Sequence, residues 1–247
     1  MTSAASDGEV RLEREGTLAR ITFDRPAARN AMTWRMYEQL AAICARLRED
    51  SGVRVALLRG AGGKAFIAGT DIAQFQAFTS GEDGIAYEQR MESVLSALES
   101  LPIPTVALVE GWAVGGGLAI AACCDFRIAT AGAKFGVPIA RTLGNCLSMQ
   151  NCARIVAALG TAIAKRMLLL GDMVTAEEAQ AVGFVLEVAA ADAIEARAAA
   201  LCDRLARNAP INMRVSKEAI RRIVLAGLAG GDDLVRETYA SADFRAG

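Results

Sequence analysis

Histidine is missing from all 247 residues of this chain. That excludes Ser-His-Asp and Cys-His nucleophilic sites, and it makes a zinc site implausible. An excess of charge of one sign is missing too. The 27 basic and 28 acidic residues leave a formal charge of −1, so no global field draws in nucleic acid or an anionic membrane, and neither is expected as a partner. Any polyanionic ligand must be held by local Arg and Lys. No apolar run reaches the roughly 18 residues of a spanning helix. Residues 1–14 are polar and acidic rather than signal-like, so the expected location is cytoplasmic. Cys44, Cys123, Cys124, Cys146, Cys152 and Cys202 show no CxxC spacing and read as small core residues of a reduced compartment.

What is present is apolar residue in quantity, 53% of the chain, enough to core one large domain or a domain with a small appendage. Residues 10–15 and 18–23 alternate about Gly16 and predict a hairpin. Trp34, Tyr37, Leu40, Ala41, Cys44 and Leu47 recur at helical spacing after Thr33, a natural N-cap, and residues 53–58 predict a buried strand. The alternation continues with a helix over 84–98, a strand over 105–109, a helix after Gly115 and a strand over 126–129, which favours an α/β layered fold. From Ser148 onward the pattern is almost wholly helical. Thr175 and Glu178 form a capping box with Gly183 as the stop, a short strand is expected over 185–188, and helices are expected over 194–207, 213–226 and 233–242. The expected partition is a core over 1–190 and a helical part over 191–247, packed as one unit because no low-complexity linker separates them.

Gly60-Ala61-Gly62-Gly63-Lys64-Ala65 matches G-x-G-x-x-A after a strand. A dinucleotide site needs a helix to start there, whereas Ala65-Phe66-Ile67-Ala68-Gly69 has no amphipathic period. A phosphate-binding loop with Mg²⁺ would need Ser or Thr where Ala65 stands. More informative are two stretches that put small residues where the chain leaves a strand for a helix: Lys64-Ala65-Phe66-Ile67-Ala68-Gly69-Thr70-Asp71-Ile72 and Gly111-Trp112-Ala113-Val114-Gly115-Gly116-Gly117-Leu118. Free backbone N–H groups there can face one cavity. The triple glycine has a competing explanation, close packing beneath the apolar helix of residues 118–124.

Together these stretches resemble the crotonase superfamily of enoyl-CoA hydratases and isomerases. So do Asp24-Arg25-Pro26-Ala27-Ala28-Arg29-Asn30-Ala31-Met32, Phe135-Gly136-Val137-Pro138, and the segment from Leu170-Gly171-Asp172 through Glu178 to Gly183. The match covers roughly residues 9–245. It implies a spiral of ββα units with a helical C-terminal part, an acyl-CoA thioester as substrate, no cofactor beyond the coenzyme A of that substrate, and a homotrimer or dimer of trimers. It also implies that the N–H groups of Thr70 and Gly116 hold the thioester oxygen as an oxyanion hole. Substrate and CoA contacts are carried by the resemblance to Arg25, Ala27, Arg29, Ala68, Gly69, Asp71, Ile72, Trp112, Gly115, Pro138 and Ile139.

The chain departs from the family at the proton-transfer residues. The two glutamates of the hydratases are replaced by Ala119 and Ile139, and neither side chain transfers a proton. The candidates for a recruited replacement are Glu82, Asp83, Glu88 and Glu92, although for any one of these a solvated helix face is the favoured reading. Arg141 is an unexpected charge beside the site. It points to solvent, pairs structurally at a trimer contact, or grips a carboxylate or carbonyl of the acyl group in bidentate fashion. The resulting expectation is a hydratase/isomerase-like lyase or isomerase. The alternatives are base-independent enolate chemistry such as decarboxylation, and a non-catalytic acyl-CoA binder. Ser241-Ala242-Asp243-Phe244-Arg245 resembles the last family motif, after which relatives carry a further helix while this sequence stops at Gly247. The expectation there is a trimmed chain or a looser hold on CoA, with Lys217, Arg221 and Arg222 as phosphate candidates.

Overall fold

The computed structural model describes residues 7–228, 230–241, 243 and 244. Of the sequence features above, residues 1–6, Ala242, Arg245 and Gly247 lie outside the described residues. The described chain opens with an antiparallel hairpin, β1 (Glu9–Glu15) and β2 (Leu18–Asp24), turned at Gly16 with φ +62°. A 3-10 turn at Pro26–Ala28 leads to α1 (Trp34–Glu49), which starts where the Thr33 hydroxyl accepts the Met36 N–H.

Three rounds of a spiral follow, and each places one strand in a larger sheet and the next in a smaller one. The pairs are β3 (Val55–Gly60) with β4 (Ala65–Ile67), β5 (Thr105–Val109) with β6 (Trp112–Val114), and β7 (Phe126–Thr130) with β8 (Lys134–Gly136). α2 (Gly81–Glu99) follows the first pair, α3 (Gly116–Cys123) the second and α4 (Met149–Leu169) the third, the last broken at Gly160. Then come β9 (Val174–Thr175), α5 (Ala176–Ala181), β10 (Glu187–Ala189), α6 (Ile194–Ala206), α7 (Pro210–Leu225) and α8 (Asp232–Ala240). The larger sheet runs β1-β2-β3-β5-β7-β10 and is parallel beyond the hairpin. The smaller runs β4-β6-β8-β9, with only β9 antiparallel.

The continuous apolar run of β3 is explained by burial on both faces. Ala56 and Leu58 enter the main core beneath α1, α2 and α3, whereas Val55 and Leu57 join Val106, Leu108 and Ile128 under Ile194, Ala198 and Cys202 of α6. α8 returns to the site side and lies on α2. A Cβ at Gly81 would come within 2.5 Å of the Arg236 carbonyl oxygen, and one at Gly84 within 2.3 Å of the Tyr239 ring, so these glycines permit the contact. Among the described residues no helix is long and apolar enough to cross a membrane.

The α/β spiral expected from the resemblance is the architecture found. Several expected bounds shift, among them the start of α2, which lies at Gly81 rather than 84. The strand expected at 53–58 lies at Val55–Gly60, the one at 185–188 begins at Glu187, and the helix expected from 213 begins at Pro210. Proline serves there as the first helical residue, because its missing N–H has no intrahelical partner at that position.

Candidate active site

The segment after β2 builds the first wall. Asn30 is fully buried and its side-chain amide donates to the carbonyls of Ala61 (3.0 Å) and Ala65 (2.8 Å), so the Gly60–Ala65 segment is a turn into β4 rather than the start of a helix. That rules out the dinucleotide geometry. Met32 then pairs in parallel with Thr70: its N–H donates to Gly69 O (2.8 Å), and its carbonyl accepts from Asp71 N–H (2.9 Å). This pairing uses Gly69 O and Asp71 N–H, so the N–H of Thr70 is turned to the other side. Arg25 locks the arrangement through Asp71 at 2.7 Å and the Ala31 carbonyl at 3.1 Å.

The second wall is the start of α3. Gly115 has φ +52° and ψ −119°, a conformation open to glycine, and its N–H donates to Gly136 O of β8 at 2.9 Å. Gly116 is the first helical residue, so its N–H has no intrahelical acceptor. Among the described residues neither the Thr70 nor the Gly116 N–H has a partner. The helix itself is terminated by buried Arg127, which donates to the Ala121 (2.9 Å) and Cys124 (2.6 Å) carbonyls.

Close packing and donor exposure turn out to be one feature. A Cβ at Gly117 would lie 2.1 Å from Ile67 O, and one at Gly116 would lie 2.5 Å from the Tyr37 hydroxyl and 3.1 Å from Thr70 Oγ1. The glycines let α3 begin directly against the Thr70 loop. Thr70 Oγ1 is held between two phenols, Tyr37 at 2.8 Å and Tyr87 at 3.1 Å. Burial pushes both phenols above their ordinary range, so they act as neutral hydrogen-bonding groups near pH 7.

Thr70 and Gly116 line one cavity of about 200 Å³. Ala68, Gly69, Ile72, Gly115, Pro138, Ala119 and Ile139 share that lining, so Ala119 and Ile139 face the same cavity. Arg25, Ala27, Arg29, Asp71 and Trp112 lie outside the lining. Arg25 and Asp71 are tied to each other, Ala27, Arg29 and Trp112 are exposed, and Arg29 accepts the Ala68 N–H through its carbonyl. The proposed grip of Arg141 on the acyl group is not supported. Arg141 is exposed and its stem lies over Gly171, whose φ of +66° leaves that face open.

Among the four recruited-carboxylate candidates, Glu88 alone lines the cavity and is only 5% exposed. Glu82 pairs with Arg236 at the surface, Asp83 completes the Ser80 capping box of α2, and Glu92 binds Arg154. Ser148 N–H donates to Glu88 Oε2 at 2.9 Å and the Tyr239 hydroxyl donates to Oε1 at 3.2 Å. Burial pushes the Glu88 carboxyl up to about 7, against the lowering effect of these donors and of the Ser148 hydroxyl. Tyr37, Tyr87, Asn145, Ser148 and Tyr239 escaped sequence reasoning. Tyr239 reaches Glu88 from 151 positions away, a contact no local pattern announces.

The phosphate candidates are likewise committed elsewhere. Lys217 binds Asp125 at 2.7 Å, and Arg221 and Arg222 both bind Glu218. A larger cavity of about 520 Å³ between α3, α4, α6 and α7 has charged groups that already pair with each other, including Arg154 with Glu99 and Lys217 with Asp125. It contains neither Thr70 nor Gly116.

Comparison with known proteins puts this geometry in context. The enoyl-CoA hydratase/isomerase family model matches residues 13–245. A short-chain-enoyl-CoA hydratase from Clostridium acetobutylicum is 33% identical over 213 residues, which cover 86% of this chain and 81% of the relative. The mitochondrial enoyl-CoA hydratase domain-containing protein 2 of Bos taurus is 35% identical over 227 residues, covering 90% of this chain and 76% of that one. Among solved structures, an enoyl-CoA hydratase/carnithine racemase from Magnetospirillum magneticum superposes with a TM-score of 0.84 at 35% identity, covering 91% of this chain and 84% of its own.

Proposed function

The chain belongs to the enoyl-CoA hydratase/isomerase family, and from that premise we propose that it binds an acyl-CoA thioester and stabilises its enolate between the N–H groups of Thr70 and Gly116. The observation that carries this reading is the pair of backbone donors, without a partner among the described residues, that face one cavity. Charge that builds on the thioester oxygen meets two fixed dipoles that need no reorganisation, and a donor of this kind is worth about 10²- to 10³-fold in rate. The positive end of α3 adds to the effect, because Gly116 is its first residue.

The cavity is small. Its volume of about 200 Å³ falls below the roughly 300 Å³ at which whole-ligand pockets begin, so it suits the acyl end while the nucleotide of CoA lies outside. Decarboxylation is not favoured, since the substrate carboxylate would have to be bound and oriented before it departs as CO₂. The described residues that line the cavity include no Lys or Arg.

Binding of CoA thioesters is expected in the micromolar to millimolar range and to weaken at high salt, because the ligand is anionic and the contacts are local charges. Titration calorimetry with butyryl-CoA at two salt concentrations measures it. Silence with every CoA ester at millimolar ligand would remove the functional reading and leave only the fold.

The same reading includes self-association as a trimer or a dimer of trimers. None of the residues of α7 is buried, and Ile211, Val215, Ile220 and Ile223 are 53% to 76% exposed. Large apolar side chains left exposed along a whole helix favour an interface. Light scattering is expected to give a mass of three or six chains, and Ile220→Asp with Ile223→Asp to reduce it. A single-chain mass for the unaltered protein would refute the assembly.

A further inference from the structure

Glu88 stands apart from the other acidic side chains of α2 in being buried. Its carboxylate accepts from neutral donors, the Ser148 N–H at the head of α4 and the Tyr239 hydroxyl from α8, and the Ser148 hydroxyl also favours its charged form. Asn145 extends the chain by donating from Nδ2 to the Tyr239 oxygen at 3.2 Å, which strengthens the donation from Tyr239 to Glu88. These donors fix the orientation of the carboxylate and still leave lone-pair capacity for a further proton. The residue is nearly inaccessible to bulk solvent, yet it lines the cavity that Thr70 and Gly116 also line, and it is the one carboxylate among the described lining residues.

We propose that Glu88 is the proton-transfer residue of this site, taking the place of the two carboxylates replaced by Ala119 and Ile139. The inference rests on the acyl-CoA reading above. In the step assigned to it, the Cα–H bond of the bound thioester breaks and its proton passes to a Glu88 oxygen. The electron pair of that bond forms the carbon–carbon double bond of the enolate, and the charge settles on the thioester oxygen between the two N–H donors. Return of the proton to Cα is exchange. On a 3-enoyl thioester, return of the same proton to Cγ moves the double bond into conjugation, with no water, metal or oxidant consumed. One carboxylate suffices for this shift, whereas hydration also requires water to be activated.

The surroundings suit a base that works near neutrality. Burial raises the Glu88 carboxyl to about 7, and the negative charge of neighbouring Glu92 pushes the same way. The other titratable groups that feel Glu88 are Tyr37, Tyr87, Tyr239, Cys146 and Cys152, all held above their ordinary values chiefly by burial. They stay protonated while Glu88 titrates. Glu92 itself is bound to Arg154 at 2.6 Å and lies outside the lining of this cavity.

The test is Glu88→Gln, which keeps the size of the side chain, with Glu82→Gln as a surface control on the same helix. Calorimetry with butyryl-CoA reports binding, and deuterium exchange at its α-carbon in D₂O reports proton transfer. Glu88→Gln is expected to bind as the unaltered protein does while exchange falls by about 10²- to 10⁴-fold, the usual worth of one acid–base group. Exchange by the unaltered protein should rise with pH through a limb near 7, and that limb should vanish in the variant. Folded, ligand-binding Glu88→Gln that exchanges at the original rate overturns the proposal, and so does an unaltered protein that binds but never exchanges. Failure of the unaltered protein to bind any CoA ester removes the underlying acyl-CoA reading instead. Should Glu88→Gln not fold, Tyr239→Phe gives a second reading. Loss of one donor to the ionised carboxylate should move the limb to higher pH with binding unchanged, and an unmoved limb counts against Glu88.

Discussion

Gly116→Pro is expected to lower enolate formation by about 10²- to 10³-fold, or roughly 3–4 kcal/mol of transition-state stabilisation, because it deletes one of the two donors. Proline suits the first position of a helix, so α3 itself tolerates the change. The tight contact above Gly116 requires a matched control: any Cβ there meets the Tyr37 hydroxyl at 2.5 Å. Gly116→Ala brings in the same Cβ and keeps the N–H, and a Tyr37→Phe background removes the atom that is struck. In that background the alanine variant should retain most α-carbon exchange and the proline variant little. Equal loss in both would assign the effect to packing, and undiminished exchange in folded Gly116→Pro would end the donor role of Gly116. Thr70→Ala keeps its backbone donor, so its expected defect is of another kind. It withdraws the hydroxyl shared by Tyr37 and Tyr87, and a buried polar group left unpaired costs about 1–3 kcal/mol of stability. Thermal melting should register that change more strongly than exchange does.

Those variants bear on how far the site could be read in the chain alone. The hairpin about Gly16, the Thr33 cap of α1 and the Thr175–Glu178 capping box were legible because each is set by residues a few positions apart. The strands β4, β6 and β8 were not, since three residues carry no period, and they are recognisable only as partners of one another. The two glycine stretches identified the cavity wall, and weighing close packing against donor exposure posed a choice the molecule does not make. Gly116 and Gly117 do both. Charged residues were the hard part. Arg141, Lys217, Arg221 and Arg222 read as ligand contacts by type, but their neighbours in space are Gly171, Asp125 and Glu218. Glu88 read as one of four acidic residues on a solvated helix, and it is buried where Ser148 at the head of α4 and Tyr239 of α8 come over it.

Hydration of crotonyl-CoA is expected to be slow, even though named relatives include a short-chain-enoyl-CoA hydratase. Addition of water needs one group to take a proton from the water and one to deliver a proton to carbon, each worth about 10²- to 10⁴-fold. Ala119 and Ile139 occupy the two cavity-facing positions where the resemblance places those groups, and Glu88 is one carboxylate, not two. A turnover on the order of 10² per second would therefore mean that another residue supplies the missing function, and it would count against a one-base site. Rebuilding the pair is the stronger measurement. Ala119→Glu puts a carboxylate on a wall that is now 4% exposed, where it is poorly solvated and has no partner to activate water with, so the single variant should gain little and lose stability. Ile139→Glu alone should also gain little. Ala119→Glu with Ile139→Glu restores both roles around the same donors, and the hydration rate is expected to rise by about 10²-fold or more. A folded double variant that still binds crotonyl-CoA but shows no such gain would mean that Thr70 and Gly116 do not hold the thioester where a hydratase needs it.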